Sequence, residues 1–375
     1  MRTYDAVIAG GGLIGASIAL ELASAGLKVA VFDAQKPGRE ASWASAGMIS
    51  PSPESAAMAS LVPLNMASAK AYPEFIRRVE ELSGKNVGYR KEGALDIFLT
   101  EVAGGEIAGI LEEHRKAGLQ AELVSSEQAC ALEPSITAEI RAGIVRHDEA
   151  SLDNRIFTEA TLEAAHSQGA EIFSGNGAKA LWLEGQTCKG LQLLTGPVEA
   201  RWTVIAAGCF SAQIEGAADY APVVPAKGQI VALRCEEVRL RRDLWTDHMY
   251  LVPRTDGRII AGSTIEYAGF DRSVTAGGIR KILNGAFSLV PALEKARVEE
   301  TWAGLRPDSP DHLPIMGPTD REGLLIATGH FRSGILLTPI TAQLIREWVT
   351  TQKVSIDWNA FSPMRFQEKR QTRTA

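Results

Sequence analysis

Gly10, Gly12 and Gly15 stand in the stretch "DAVIAGGGLIGASIALELASAGLKVAVFDAQ" with the spacing G-x-G-x-x-G, and Asp33 follows 18 residues after Gly15. Bare backbone at those positions, followed by an acid at that distance, suits the binding of a dinucleotide. Gly10 permits a tight turn, Gly12 lets a pyrophosphate approach the chain, and Gly15 lets a helix pack closely on a strand. A helix that begins there offers unpaired N–H groups and a partial positive charge to the phosphates. A carboxylate at position 33 can accept hydrogen bonds from a ribose hydroxyl pair. The same negative charge disfavours the extra phosphate of NADP. FAD and NAD both remain open at this point.

The glycines carry that meaning only in their context. Residues 6–9 form a short apolar run that predicts a buried strand. Residues 14–25 carry apolar side chains at helical spacing, Gly26 is placed to stop the helix, and residues 29–32 predict a second strand. The result is a β-α-β unit with the glycines at its first turn. The competing reading, a glycine turn without a ligand, leaves the placement of Asp33 to coincidence.

Further along, "LNMASAKAYPEFIRRVEELSG" predicts a helix and "GYRKEGALDIFLT" two strands. "EIAGILEEHRKAGL" and "NRIFTEATLEAAHSQG" predict helices, with a strand in "GIVRHDEASLD" between them. The run from Ala170 to Gly208 reads as strands, ending where a strand meets a turn. "VVPAKGQIVALRC" and "MYLVPRTDGRIIAGST" predict a long antiparallel sheet with "TDGR" as a hairpin turn. "GGIRKILNGAFSLVPAL" is a helix, and "GLLIATGHFRSGILLTPITAQLIREWV" a strand, a glycine-bearing turn and a final helix. That second strand-turn-helix, with Gly329 and Gly334, is another place for close approach of a ligand and leans toward the longer FAD.

The chain of 375 residues is 45% hydrophobic and 22% charged, long enough for two domains with cores of their own. Its net charge of −6 gives nucleic-acid binding no electrostatic support. The basic stretch 365–373 is expected to be a solvated tail. Four cysteines without a C-x-x-C pair suggest neither a zinc site nor a disulfide framework. The N-terminus runs directly into the first predicted strand, so no signal peptide is expected, and no apolar run reaches membrane-spanning length. A soluble, reduced, cytoplasmic protein is the expectation, with no nucleic-acid or membrane partner; homo-oligomer formation is left open.

The stretches "DAVIAGGGLIGASIALELA", "ASWASAGMISP", "VIAAGCFS", "PAKGQ", "YLVPRTDGRIIAGST", "WAGLRPDSPDHLPIMG" and "GHFRSGILLTPITA" together carry a resemblance. The sequence resembles the FAD-dependent amino acid oxidase superfamily, which includes D-amino acid oxidase and sarcosine oxidase, and is most similar to its glycine oxidase branch, associated with thiamine biosynthesis. The stretches run from residue 5 to residue 342. The resemblance implies an α/β fold: a Rossmann-like FAD-binding domain interleaved with an α+β substrate domain built on a large antiparallel sheet. The expected boundaries are 1–85, 150–215 and 310–365 for the FAD-binding domain, and 86–149 and 216–309 for the substrate domain.

The resemblance also implies where FAD binds without a covalent bond. Leu13 and Ile14 fall at the pyrophosphate turn, Asp33 and Ala34 at the adenosine ribose. Ala41, Ser42, Ala46, Gly47 and Met48 belong to a loop that passes the flavin. Ala178 meets the adenine, Ala207 and Gly208 end a strand at the cofactor, and His330, Phe331, Arg332, Ser333, Gly334, Ile335 and Leu336 hold the flavin ring and ribityl chain. Relatives that tether the flavin do so through a late cysteine, and "HLPIMG" at 312–317 has none. No metal site is expected.

For the substrate, the resemblance implies a carboxylate-binding Arg306, a Tyr250 whose hydroxyl joins that contact, and an Arg332 facing substrate and flavin. A guanidinium fork matches a carboxylate with two parallel charge-assisted hydrogen bonds. Met48 and Ile265 are expected near the pocket, whereas Trp302 is expected in the core and His312 on a solvated loop. No side chain stands out as an obligatory acid, base or nucleophile, which fits a reaction in which the flavin takes a hydride from a neutral amine. The implied substrates are glycine, sarcosine or small D-amino acids with dioxygen, yielding hydrogen peroxide. The alternatives are a dehydrogenase of the same fold that passes electrons to a quinone or protein, a non-catalytic flavin protein, and an NAD-linked dehydrogenase.

Overall fold

The computed structural model describes residues 3–52, 60–102 and 104–367. Two eight-stranded sheets organise the chain. In the first, Thr3–Ala9 lies between Val29–Phe32 and Gly196–Ile205, all parallel, and the sheet continues in parallel to Glu171–Phe173 on one side and Leu324–Thr328 on the other. Strands flanked on both faces by packed elements read as continuous apolar runs. Val29–Phe32 is buried at every residue. Ile315–Pro318 closes one edge in antiparallel fashion, and the hairpin Ala178–Glu184 with Thr187–Leu193 extends from Gly196–Ile205. Helices Leu13–Ser24, Val62–Ser83, Asn154–Ser167 and Thr338–Thr351 share one core with this sheet, including Ile18, Tyr72, Phe157 and Ile345.

The second sheet runs Arg297–Asp308, Val224–Arg234, Arg258–Gly262, Tyr250–Pro253, Asp243–Trp245, Ala94–Phe98, Ala142–Arg146 and Ala121–Ser125. Its pairs are antiparallel except where Asp243–Trp245 lies along Ala94–Phe98. Helix Ala276–Leu289 covers one face through Ile282, Ala286 and Leu289 against Val231, Leu251 and Ala261. Its start is capped by the Thr275 hydroxyl, which accepts from the Gly278 N–H at 3.1 Å. The other face meets the short helix Ala41–Ala44 and, further out, the first sheet's loops.

The Rossmann-like β-α-β unit, the large antiparallel sheet and the α/β class are all present as expected. The "TDGR" turn forms, with the Gly257 N–H donating to the Arg254 carbonyl at 3.1 Å. Two expectations need correction. "GYRKEGALDIFLT" yields one strand, Ala94–Phe98, because Gly93 adopts φ +79° and turns the chain just before it; upstream, Arg90 makes only an isolated bridge to Ser151. The stretch 365–373 is not solvated at its start. Arg365 pairs with Asp311 at 2.9 Å and donates to the Leu313, Phe361 and Ser362 carbonyls, while Phe366 is buried. The rest of that stretch, 368–373, lies outside the described residues. Among the described residues, no helix is long and apolar enough to cross a membrane.

Candidate active site

A cavity of about 650 Å³ runs from the first turn of the β-α-β unit to the face of the antiparallel sheet that meets helix Ala41–Ala44. Every cofactor position expected from the sequence lines it except Gly15, and so do Tyr250, Arg306 and Arg332. Met48 and Ile265 line it too. Trp302 does not; it is buried, and its indole N–H donates to the Ala44 carbonyl at 3.0 Å. His312 lies on the outside, half-exposed and paired with Asp308 at 2.7 Å.

At the nucleotide end, each glycine has a distinct surrounding. Gly10 has φ +107°, and a Cβ there would lie 2.5 Å from the Ala206 carbonyl oxygen. A Cβ on Gly15 would overlap the Gly10 carbonyl, so Gly15 serves the packing of helix on strand and stays out of the cavity. A Cβ on Gly12 would meet only the Ser42 hydroxyl, at 3.3 Å. Gly12 therefore faces open space at a helix N-terminus, the cradle that a pyrophosphate fits. The Ser42 hydroxyl accepts from the Leu13 N–H at 2.8 Å and caps that helix from a distant part of the chain. Asp33 follows directly on Val29–Phe32 and lines the cavity. Its carboxylate also fixes the turn, accepting from the N–H groups of Gly11 and Gln35, each at 2.8 Å.

The loop 41–48 is held by residues that sequence reasoning missed. Buried Arg254 donates to the Ala46 carbonyl at 3.0 Å, the Leu152 carbonyl at 2.6 Å and the Asn154 side chain at 2.9 Å. A Cβ on Gly47 would overlap the Leu152 carbonyl, so the loop lies hard against that segment. The turn at 330–336 is braced from behind by helix Val62–Ser83. The Ser68 hydroxyl donates to the Leu336 carbonyl at 2.5 Å and the Tyr72 hydroxyl to the Ile335 carbonyl. His330 is buried, its Nε2 3.1 Å from the Thr341 hydroxyl, and burial lowers its pKa to about 3. The ring is neutral at physiological pH.

Other unforeseen lining residues are Glu40, Cys209, Trp245, His248 and Ser263. Glu40 pairs with Arg272 at 2.9 Å, and burial raises its pKa. Burial pushes the Cys209 thiol up to about 12, which leaves it protonated and a poor nucleophile.

At the far end the sheet supplies a floor of glycines. Gly304 lies opposite Gly228, and Gly262 opposite Tyr250. A Cβ on Gly304 would overlap the Ala44 methyl, so this glycine lets helix Ala41–Ala44 sit on the sheet. The Arg306 guanidinium occupies the space above Gly228, where a Cβ would lie 2.6 Å from Cζ. Its Nη2 donates to the Ser263 hydroxyl at 2.7 Å and its Nη1 to the Thr264 carbonyl at 3.3 Å. Buried Tyr250 lies over Gly262, with its ring 5.5 Å from Trp245. Arg332 is exposed at the cavity mouth.

A glycine-turn nucleotide cradle joined to a cavity with an arginine and a tyrosine at its far end defines a dinucleotide-dependent oxidoreductase. The chain belongs to the FAD dependent oxidoreductase family (DAO), whose model matches residues 5–348. FAD is thus its cofactor, and the open face at Gly12 with Asp33 at the strand end fits that group.

The chain is 34% identical over 374 residues to the bifunctional protein ThiO/ThiG of Trichormus variabilis, covering 99% of this chain and 56% of that one. It spans about half the length of such bifunctional relatives. It is 31% identical over 363 residues to the glycine oxidase of Geobacillus kaustophilus, covering 96% of each. The crystal structure of glycine oxidase from that organism superposes with a TM-score of 0.92 at 30% identity, over 97% of this chain and 99% of the other. Hydrogen cyanide synthase subunit HcnC of Pseudomonas aeruginosa is 31% identical over 405 residues, 98% of this chain and 97% of that one.

Proposed function

We propose that this protein oxidises glycine or another small amino acid, such as sarcosine or a small D-amino acid, to the imine. The observation that carries this reading is the Arg306 guanidinium, seated on Gly228 at the end of the same cavity that holds the nucleotide cradle. Tyr250 lies over Gly262, next to the Ser263 and Thr264 acceptors of Arg306, and the pair suits a carboxylate. The similarity to glycine oxidase supports the choice of substrate, and Met48, Trp245 and Ile265 on the cavity wall suit a small one.

Gly12, the helix that begins at Leu13, Asp33, Ala34 and Ala178 would hold the dinucleotide, and the turn 330–336 the flavin end. When bound, FAD supplies the acceptor for the hydride leaving the substrate α-carbon and passes the electrons to dioxygen, giving hydrogen peroxide. The chain's own part is to bind and orient. Arg306 and Tyr250 fix the carboxylate and so aim the α-carbon, and a neutral amine lone pair assists as the C–H bond breaks. The imine leaves and hydrolyses to a 2-oxo acid and ammonia, or to a 2-oxo acid and methylamine where the substrate is sarcosine. The shared ancestry with ThiO/ThiG proteins supports a place in thiamine biosynthesis.

The second reading, a dehydrogenase that hands electrons to a quinone or protein, shares this fold and differs only in the acceptor. Aerobic peroxide release with glycine, sarcosine and D-alanine, set beside anaerobic dye reduction, separates the two. Peroxide formed at the rate of substrate loss is expected. Fast dye reduction with negligible peroxide would transfer the assignment to the dehydrogenase, and silence toward all three amino acids would end the substrate proposal.

A further inference from the structure

The segment Gly262, Ser263 and Thr264 begins at the last residue of the strand Arg258–Gly262 and touches both groups assigned to the carboxylate. At Gly262 the missing side chain makes room for the Tyr250 phenol, since a Cβ would lie 2.7 Å from its hydroxyl oxygen. At Ser263 the hydroxyl accepts from Arg306 Nη2 at 2.7 Å. At Thr264 the backbone carbonyl accepts from Arg306 Nη1 at 3.3 Å.

The segment is itself held on the far side. The Thr264 hydroxyl accepts from the Gln229 N–H at 3.0 Å and donates to Glu266 Oε1 at 2.5 Å, and the Gln229 side-chain amide donates to the same Oε1 at 2.7 Å. Gln229 and Thr264 are buried. Lys227 and Glu266 add a two-way backbone bridge, 2.8 and 2.9 Å. A guanidinium on a flexible four-bond stem has many orientations. Here the Gly228 backbone limits it from below and two fixed acceptors set the angle of its plane.

We propose that this three-residue segment is a common seat that fixes the guanidinium of Arg306 and the phenol of Tyr250 relative to one another, with Ser263 as a positioning residue whose hydroxyl holds the carboxylate fork. The proposal rests on the reading of Arg306 as the carboxylate ligand. Ser263 does not transfer a proton or touch the reacting carbon. It holds Nη2 so that the fork is already aimed when the substrate enters, which lowers the orientational cost of binding.

The test is Ser263→Ala in the holoenzyme, with Ser263→Cys as a variant of similar size that accepts hydrogen bonds weakly. Two readouts are taken: the Kd of acetate from its perturbation of the flavin absorbance, and KM and kcat for glycine. Loss of the hydrogen bond is expected to raise both the acetate Kd and the glycine KM about tenfold, with kcat at saturation within about twofold. Ser263→Thr, which keeps the hydroxyl, should restore most of the affinity. Oxidation of ethylamine, which has no carboxylate, should be unaffected.

Unchanged acetate Kd in both Ser263→Ala and Ser263→Cys overturns the proposal. An equal loss toward ethylamine also overturns it, because the effect would then be general. Arg306→Ala separates the two levels of the argument. If that variant still binds acetate as well as the parent, the carboxylate reading of Arg306 itself fails. If it loses acetate while the Ser263 variants keep it, only the seat fails.

Discussion

The Arg306 guanidinium lies against the backbone of Gly228, two positions from its direct cross-strand partner Ala226, and fills the space a side chain at 228 would need. The glycine lines the cavity and so shapes the proposed substrate pocket without a side chain of its own. Gly228→Ala is expected to push the guanidinium off its acceptors, Ser263 and Thr264. Overpacking of this kind costs about 1–3 kcal/mol, which here would appear as a roughly five- to hundredfold fall in kcat/KM for glycine. Flavin content should stay near normal, since the nucleotide cradle is remote. Steady-state kinetics beside a visible spectrum check both halves; wild-type kcat/KM would show that the guanidinium does not use this space during turnover.

The motif glycines should fail in different ways. A side chain at Gly15 overlaps backbone, so Gly15→Val should yield little folded protein. At Gly12 the added Cβ meets only a hydroxyl at 3.3 Å. Gly12→Val should fold, melt cooperatively and lack flavin, because its methyl groups occupy the space where the pyrophosphate must lie. Circular dichroism melts with flavin absorbance distinguish the outcomes. A fully yellow Gly12→Val protein would remove that glycine from the cofactor site.

Much of this was legible in the sequence because local spacing and local physics coincide at the β-α-β unit. The glycine spacing, the apolar runs and Asp33 all lie within one short stretch, and the structure places that stretch as expected. What stayed hidden depends on contacts across long separations. Tyr72 supports Ile335 from 263 positions away, and Arg254 holds Ala46 from 208 positions away. Both side chains sit in stretches whose secondary structure is legible, but periodicity names the element and not the distant carbonyl that its side chain will meet. Ser263 is similar: a small polar residue after a strand is common, and its meaning appears only when Arg306 is seen beside it. Arg365 misled for the related reason that a run of cations looks solvated unless its partner, Asp311, is known.

The flavin should be releasable. Cys209 is the cysteine that lines the cavity, and its thiol, held protonated by burial, is unsuited to attack on a flavin carbon. Acid or heat precipitation should leave the yellow colour in the supernatant. A yellow pellet that survives washing would show a covalent bond and point to Cys209 as its first suspect.

Asp243, the first residue of the strand Asp243–Trp245, is buried, and the Ser151 hydroxyl donates to it at 3.0 Å. Burial raises its pKa from 3.8 to about 7. Its folded pKa lies above the unfolded value, so its contribution to stability is fully present below about pH 3.8 and is lost as pH rises toward about 7. Asp243→Asn keeps the acceptor for Ser151 and removes the titration. Its melting temperature relative to the parent should therefore increase between pH 4 and pH 7 and level off above. Thermal melts of the two proteins across that range test this, and a difference that is constant with pH would show that Asp243 titrates normally.

The pH dependence of turnover should come from the substrate. His330 lies in the cavity wall with a pKa of about 3, its Nε2 beside the Thr341 hydroxyl, so it does not change charge in the working range. Glu40, the lining carboxylate whose pKa burial raises, is paired with Arg272. A free amino acid is mostly protonated at pH 7, and a protonated amine has no lone pair to assist departure of the hydride. Under subsaturating glycine, kcat/KM should therefore rise about tenfold per pH unit until the amine's own pKa is reached, since one proton must be lost before reaction. His330→Asn, if it retains flavin, should keep the same slope. The measurement is initial rate against pH from 6 to 10 in buffers of constant ionic strength. A flat profile over this range would count against reaction through the neutral amine. A step near pH 6.5 that disappears in His330→Asn would instead make that buried ring a base in the reaction.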